Sequence, residues 1–306
     1  MDFADRLLGA GVSKVQFAGQ AGKASSHIHR RWNMQKSLFP AILWMFSFVA
    51  LVLSGCGGGG SAGNETNNGT VRIAYLHHST GGIIWGGGVP EFFTSYNAAH
   101  STQYQITSIT YPDAGSGYPW SNYPYDYWNL WVNHTGSSQD SGELNLDQLA
   151  ANHDVIVFKH CFPVSAINAD DGNPDITSSY QTIANYQLQY AALKTRMKQF
   201  PARKFIIWTG AALNAGSTNP DDATRAQTFF NWVKTTWDEP GDNIFIWDFY
   251  ALETAGAAPY MNNAYASASN DPHPNSTFSA TVAPCIAQRI VDVIEGRGDM
   301  GSITGH

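Results

Sequence analysis

Charge is scarce in this chain of 306 residues: Asp, Glu, Lys and Arg together make up 13%, about half the share usual in a soluble domain. Positive charge is scarcer still, with 17 Lys and Arg against 24 Asp and Glu. Six of those bases (Arg6, Lys14, Lys23, Arg30, Arg31, Lys36) fall within the first 55 residues, beside only Asp2 and Asp5, which leaves 11 bases against 22 acids in the remainder. Such a balance argues against nucleic acid as a partner, because that binding needs clustered Lys and Arg to displace counterions from phosphates. Cysteine is nearly absent. There are three, with no CxxC spacing, so a cysteine-based metal site has little support. No internal repeat is visible, and the longest apolar run, Ser37 to Leu53, is slightly short for a transmembrane helix. What is abundant is apolar and aromatic: 43% hydrophobic residues, with 10 Trp, 14 Tyr and 16 Phe. A sizeable core is available, and wholesale disorder is excluded. Low charge with many Tyr, Trp, Asn, Ser and Thr suits an extracellular protein that handles neutral polar ligands such as sugars.

The apolar run SLFPAILWMFSFVALVL follows Arg30, Arg31 and Lys36, a basic flank before a short hydrophobic stretch, which is the layout of a secretory signal. It closes in Leu53-Ser54-Gly55-Cys56, which resembles the lipobox of bacterial lipoproteins. That resemblance implies cleavage before Cys56, its lipidation, and attachment to a bacterial membrane, at the outer membrane or the cell surface. Residues 1–55 are therefore expected to be a leader. Met34 would start a signal of ordinary length, so 1–33 reads as an over-long start and is given no function. Residues 56–70 (CGGGGSAGNETNNGT) read as a flexible tether. The domain proper is expected over 71–306. With Cys56 lipidated, Cys161 and Cys285 remain, and in an exported protein they could pair.

From Val71 onward, short β-type runs alternate with helical patterns. The β runs are 71–76, 104–110, 154–159, 204–209 and 243–249, and the helical candidates are 89–99, 144–152, 177–199, 222–237 and 277–295. The third is a continuous apolar run after Asp154, and the fourth and fifth are much the same, as strands buried on both faces of a parallel sheet should be. The expectation is an α/β fold: a three-layer α/β/α sandwich around a doubly wound, flavodoxin-like sheet of about five parallel strands. Ligands in such folds bind beyond the carboxyl ends of the strands. The stretch 111–142, rich in Pro, Gly, Tyr and Trp, follows the second β run and should overhang that edge. Trp128 and Trp131 are expected to pack into the core, while Trp120 and Tyr123 are expected to face a ligand.

Two segments carry the chemistry. His77-His78-Ser79-Thr80-Gly81-Gly82 follows the first β run, where a Ser in a strand-to-helix turn can expose its hydroxyl while nearby N–H groups stabilise an oxyanion. Asn270-Asp271-Pro272-His273-Pro274-Asn275 precedes the last helix, and a His held between prolines has a fixed direction, which suits a general base. Together, HHSTGG and DPHPN resemble the SGNH (GDSL-like) hydrolases over about 71–295. The resemblance implies an ester hydrolase, with no cofactor, that often removes acyl groups from polysaccharides. Carried over, Ser79 matches the nucleophile, His273 the general base and Asp271 the orienting acid. In the family that acid usually stands three residues before the His, where Asn270 stands here; Asp248 is a poorer substitute. For the oxyanion hole, the Ser79 N–H and Gly115 match. The family's Gly-x-Asn-Asp after the third strand is replaced by Lys159-His160-Cys161-Phe162-Pro163-Val164-Ser165, leaving His160, Ser165 or Asn168 as the third donor. His78 and His160 are expected to line the substrate site. The expected partner is an acylated carbohydrate, acetylated in the first instance. The competing reading is a non-catalytic glycan-binding lipoprotein on the same fold.

Overall fold

The computed structural model describes residues 69–306, apart from 114 and 120. The expected leader, Cys56 and most of the tether lie outside the described residues, as does Trp120. Five strands form one parallel sheet in the order β2-β1-β3-β4-β5: β1 Thr70–His77, β2 Gln103–Thr110, β3 Val155–Phe158, β4 Lys204–Trp208 and β5 Ile244–Trp247. All five coincide with the β runs of the sequence to within two residues at each end. The residues of β3 and β5 are buried throughout, whereas β2, at the edge, is largely exposed.

Side chains alternate across each strand, and this divides the core in two. Ala74, Leu76, Ile156, Phe158, Phe205 and Ile207 face one way, against α3 (Pro124–Trp128), α4 (Leu146–Asn152), α5 (Ile183–Met197) and α6 (Pro220–Trp232). Ile73, Tyr75, Val155, Val157, Ile206 and Trp208 face the other way, against α1 (Thr80–Trp85), α2 (Val89–His100) and α8 (Ser276–Ile294). Each large apolar side chain so removed from water contributes about 1.5–3 kcal/mol, so both helical layers are held firmly. The result is the expected three-layer α/β/α sandwich.

Local chemistry sets the helix boundaries. Asn145, Thr182, Asn219 and Asn275 each accept a hydrogen bond from the N–H three residues on, capping α4, α5, α6 and α8. Several short elements lie outside the runs that periodicity gives. They include α1, α3, α7 (Phe249–Thr254) and an antiparallel hairpin of β6 (Ala266–Ala268) and β7 (Asp271–Pro274). All are six residues or fewer, too short for a repeating pattern to show. The chain winds outward from β1 in both directions, so the switch point lies at the carboxyl ends of β1 and β3.

Candidate active site

Ser79 sits one residue beyond His78 at the carboxyl end of β1 and opens α1. Its backbone is at φ 48°, ψ −115°, a left-handed conformation that L-residues rarely adopt and that strand-to-helix nucleophile turns use to present a hydroxyl. The sharp turn is possible because Gly81 follows. A Cβ there would lie 2.7 Å from His77 Cβ and 2.9 Å from Lys159 Cδ.

The turn projects Ser79 Oγ to 2.5 Å from His273 Nε2. On the other side of the ring, His273 Nδ1 is 2.6 Å from Asp271 Oδ1, which also accepts the His273 N–H at 3.1 Å. The two-residue spacing is explained by the hairpin. In extended backbone, residues i and i+2 share a face, so Asp271 reaches the His273 ring from two positions back and Asn270 is left in the turn. Both hydrogen bonds from His273 hold the Asp271 carboxyl below the usual carboxylate range. The hairpin is tied down by Asn214 Nδ2, which donates to Ser269 O at 3.0 Å, and by Asn275 Nδ2, which donates to Ala264 O at 2.8 Å. Phe162 meets the His273 ring edge-on with centroids 5.2 Å apart. Asp248 is engaged elsewhere: it accepts from Thr209 Oγ1 at 2.9 Å and from Lys234 Nζ at 2.9 Å while capping α7.

Several expected site residues stand differently. The Gly115 N–H donates to Asp113 Oδ1 at 3.0 Å, so the expected oxyanion donor is occupied by its own turn. Ser165 is buried and its hydroxyl donates to Ala211 O. The Asn168 N–H donates to Gln181 O at 2.9 Å, stitching its loop to the start of α5. None of the three is hydrogen-bonded to Ser79 or His273 among the described residues. His160 does not line a substrate site. It is 1% exposed and packed edge-on to Tyr127 at 4.8 Å, and burial and the nearby Lys159 push its pKa well below the usual imidazole value. Being two residues beyond Phe158, it continues that strand's alternation into the same face of the core. Tyr123 is buried as well, its hydroxyl donating to Ser179 O at 3.2 Å, because the aromatic segment folds onto α5 instead of standing free. Trp131 is buried as expected, with Nε1 donating to Tyr111 Oη at 2.7 Å; Trp128 is only half-buried, against Tyr125. Cys161 and Cys285 are free thiols and do not pair.

The two histidines before Ser79 differ. His77 Nε2 is 2.6 Å from Ser108 Oγ, its ring stacks on Trp85, and burial first, then Lys159 and His78, lower its pKa to about 4. His78 is half-buried, and its pKa is lowered by burial and Lys159, with Asp113 opposing. Asp113 belongs to a groove of about 340 Å³ lined by Thr110, Ser116, Ser141 and Glu143 as well. The groove lies at the carboxyl end of β2, where Thr110 pairs with His77 and the Tyr111 N–H donates to His77 O at 3.1 Å. A larger cavity of about 470 Å³ is lined by Tyr265, Phe278, Val282 and His306, and neither its lining nor that of the groove includes Ser79 or His273. Among the described residues no group of three or more His, Cys, Asp or Glu is placed to hold a metal ion.

Sequence reasoning passed over Lys159 and Phe162. The signal for Lys159 was there: a charged residue directly ending a run of four apolar residues, at the strand end where ligands bind.

The fold and the contacts of Ser79 thus define a three-layer α/β protein with a Ser-His-Asp hydrogen-bonded chain at its switch point. No protein-family model matches the chain, and no curated protein matches it. Among solved structures it is similar to an acetyl xylan esterase, AlAXEase, at 14% identity and a TM-score of 0.43, over 69% of this chain and 95% of that one. It is also similar to a gut microbial diltiazem-metabolizing enzyme, at 12% identity and a TM-score of 0.40, over 76% of this chain and about half (48%) of that one. At these values the chemistry has to be argued from the site itself.

Proposed function

We propose that the protein is a serine ester hydrolase of the SGNH type, exported and lipid-anchored through Cys56, that removes acyl groups, acetyl first, from carbohydrate. One observation carries the hydrolase reading. Ser79 and His273 stand 194 residues apart in the chain, yet they meet at 2.5 Å, with Asp271 on the far side of the ring at 2.6 Å.

The chemistry follows from that line of atoms. Ser79 Oγ attacks the ester carbonyl carbon while His273 Nε2 takes its proton. Asp271 keeps the other proton on Nδ1, so Nε2 is the basic nitrogen, and it stabilises the imidazolium that forms. The Ser79 N–H donates to the developing oxyanion. As the tetrahedral intermediate collapses, His273 passes its proton to the departing alkoxide, giving an alcohol and an acyl-Ser79. Water, deprotonated by the same nitrogen, then releases the carboxylic acid and restores the serine.

The sugar assignment has narrower support. The buried Tyr123 removes one of the two expected stacking rings. In favour stands the polar groove at the carboxyl end of β2, the strand next to β1, where Asp113, Ser116 and Ser141 can accept or donate to sugar hydroxyls. Export and anchoring rest on the signal-like run and Leu53-Ser54-Gly55-Cys56.

The glycan-binding alternative draws on a specific observation: Gly115 and Ser165 spend their donors elsewhere. A fluorophosphonate probe separates the two readings. Covalent labelling at Ser79, with aryl acetate hydrolysis lost in Ser79→Ala, is the expected result. No labelling, or undiminished hydrolysis in the variant, overturns the esterase.

A further inference from the structure

We propose that Lys159 is a positioning residue for this reaction, its buried ammonium holding and polarising the His78–Ser79 peptide that faces the oxyanion. The inference rests on the esterase reading above and adds a part that the Ser-His-Asp chain does not contain.

Lys159 directly follows β3, the neighbour of β1 at the switch point, and is only 2% exposed. Lysine is almost never buried to this degree unless paired, because stripping water from an ammonium is costly. Its Nζ donates to His78 O at 3.2 Å and lies 3.1 Å from Cys161 Sγ. Among the described residues it forms no ion pair with a carboxylate. Glu253 feels its charge, but that side chain is fully buried, and burial raises its pKa well above the usual carboxyl value. A positive charge is therefore held beneath the Ser79 turn with no carboxylate in ion-pair contact among the described residues.

The place where it is held matters. His78 O accepts from both Lys159 Nζ and the Gly81 N–H, the latter at 2.9 Å, so both lone pairs of that carbonyl are engaged. The other end of the same peptide is the Ser79 N–H. Withdrawing electron density at the carbonyl makes that N–H a stronger donor, as in any polarised hydrogen-bond chain. The lysine stem also braces the turn from below, since its Cδ is one of the atoms a Cβ on Gly81 would strike. When an ester carbonyl becomes an oxyanion at the Ser79 N–H, the negative charge develops one peptide away from the buried ammonium. This supplies electrostatically part of what Gly115 and Ser165 do not.

The test compares the wild-type chain with Lys159→Met, which keeps the stem without the charge, and Lys159→Gln, which keeps a donor without the charge. Each is assayed for kcat and KM on p-nitrophenyl acetate, for the rate of Ser79 labelling by a fluorophosphonate, and for Tm. Removing one full oxyanion donor costs about 10²–10³ in turnover, so an effect relayed through a peptide should be smaller, about 10–10² in Lys159→Met. KM should change less than about twofold and labelling should slow in step with kcat, a pattern that uniform binding loss does not give. Lys159→Gln should recover part of the loss and no more. Full recovery in Lys159→Gln, or a folded Lys159→Met with wild-type kcat, overturns the proposal; if Lys159→Met does not fold, wild-type kcat in Lys159→Gln does so. A wild-type protein that neither labels nor hydrolyses overturns the esterase reading itself, which the wild-type arm reports separately.

Discussion

Replacing Ser79 in two ways isolates the strain in its turn. Both Ser79→Ala and Ser79→Gly delete Oγ and its contact with His273, so both should lose hydrolysis. They differ in the backbone. At φ 48°, ψ −115° an alanine keeps the Cβ that makes this conformation unfavourable, whereas glycine has none. A residue held in such a region costs about 1–3 kcal/mol. Glycine gives back about 0.5–1 kcal/mol through the greater freedom of its unfolded chain. The glycine variant should therefore be the more stable of the two inactive proteins, by about 1 kcal/mol. For a domain of this size that corresponds to about 2–4 °C in Tm. Thermal and urea unfolding of the two variants side by side measure the difference directly, and the lost hydrogen bond cancels. A glycine variant equal to or less stable than the alanine variant would refute the strain argument, and with it the claim that surrounding structure forces Ser79 into position.

Asp271→Asn should lower kcat on an aryl acetate by about 10²–10⁴ with the fold intact, because Asn cannot hold His273 in the tautomer that leaves Nε2 basic; a loss under threefold would show that another group orients the ring. Gly81→Ala should destabilise the protein by about 1–3 kcal/mol in urea, since neither His77 Cβ nor Lys159 Cδ can withdraw freely; unchanged stability would mean the turn has room that the distances deny. His160 is held neutral by burial, so its folded pKa lies below its unfolded one. Its stabilising share is complete above about pH 6.5 and is lost as pH falls from there towards the folded value, at no more than about 1.4 kcal/mol per pH unit. The stability of His160→Phe relative to wild type should thus rise by about 2 kcal/mol between pH 7.5 and pH 5, and a pH-independent difference in urea midpoints would contradict the assignment.

Legibility differed from one residue to the next for physical reasons. Strands β3 and β5, and β4 after Lys204, are runs of Val, Ile, Phe and Trp, and a run of that kind has few places to go other than the middle of a parallel sheet. Ser79, His273 and Asp271 are readable because Gly and Pro punctuate them, glycine by permitting tight turns and proline by fixing the backbone. Tyr123 was misjudged because an aromatic side chain is equally suited to stacking on a ligand and to packing on a helix. Only the presence of α5 beneath it, with Tyr186 edge-on to its ring and the Ser179 carbonyl just before that helix, decides between them. His160 was misjudged although the alternation through Phe158 pointed inward, because a titratable residue at a strand end invites a functional role.

By itself, then, the sequence determined the five parallel strands, the three-layer sandwich and the two segments that hold Ser79, Asp271 and His273, since these follow from hydrophobic periodicity and from local Gly and Pro chemistry. The tertiary structure alone decided which side chains meet. It set the 2.5 Å approach of Ser79 to His273, the hairpin that lets Asp271 act from two residues away, and the occupation of Gly115 and Ser165 by other partners. It also buried Lys159 beneath the turn. Each of these is a contact between segments distant in sequence or a competition for one hydrogen-bond donor, and both are settled by packing in three dimensions.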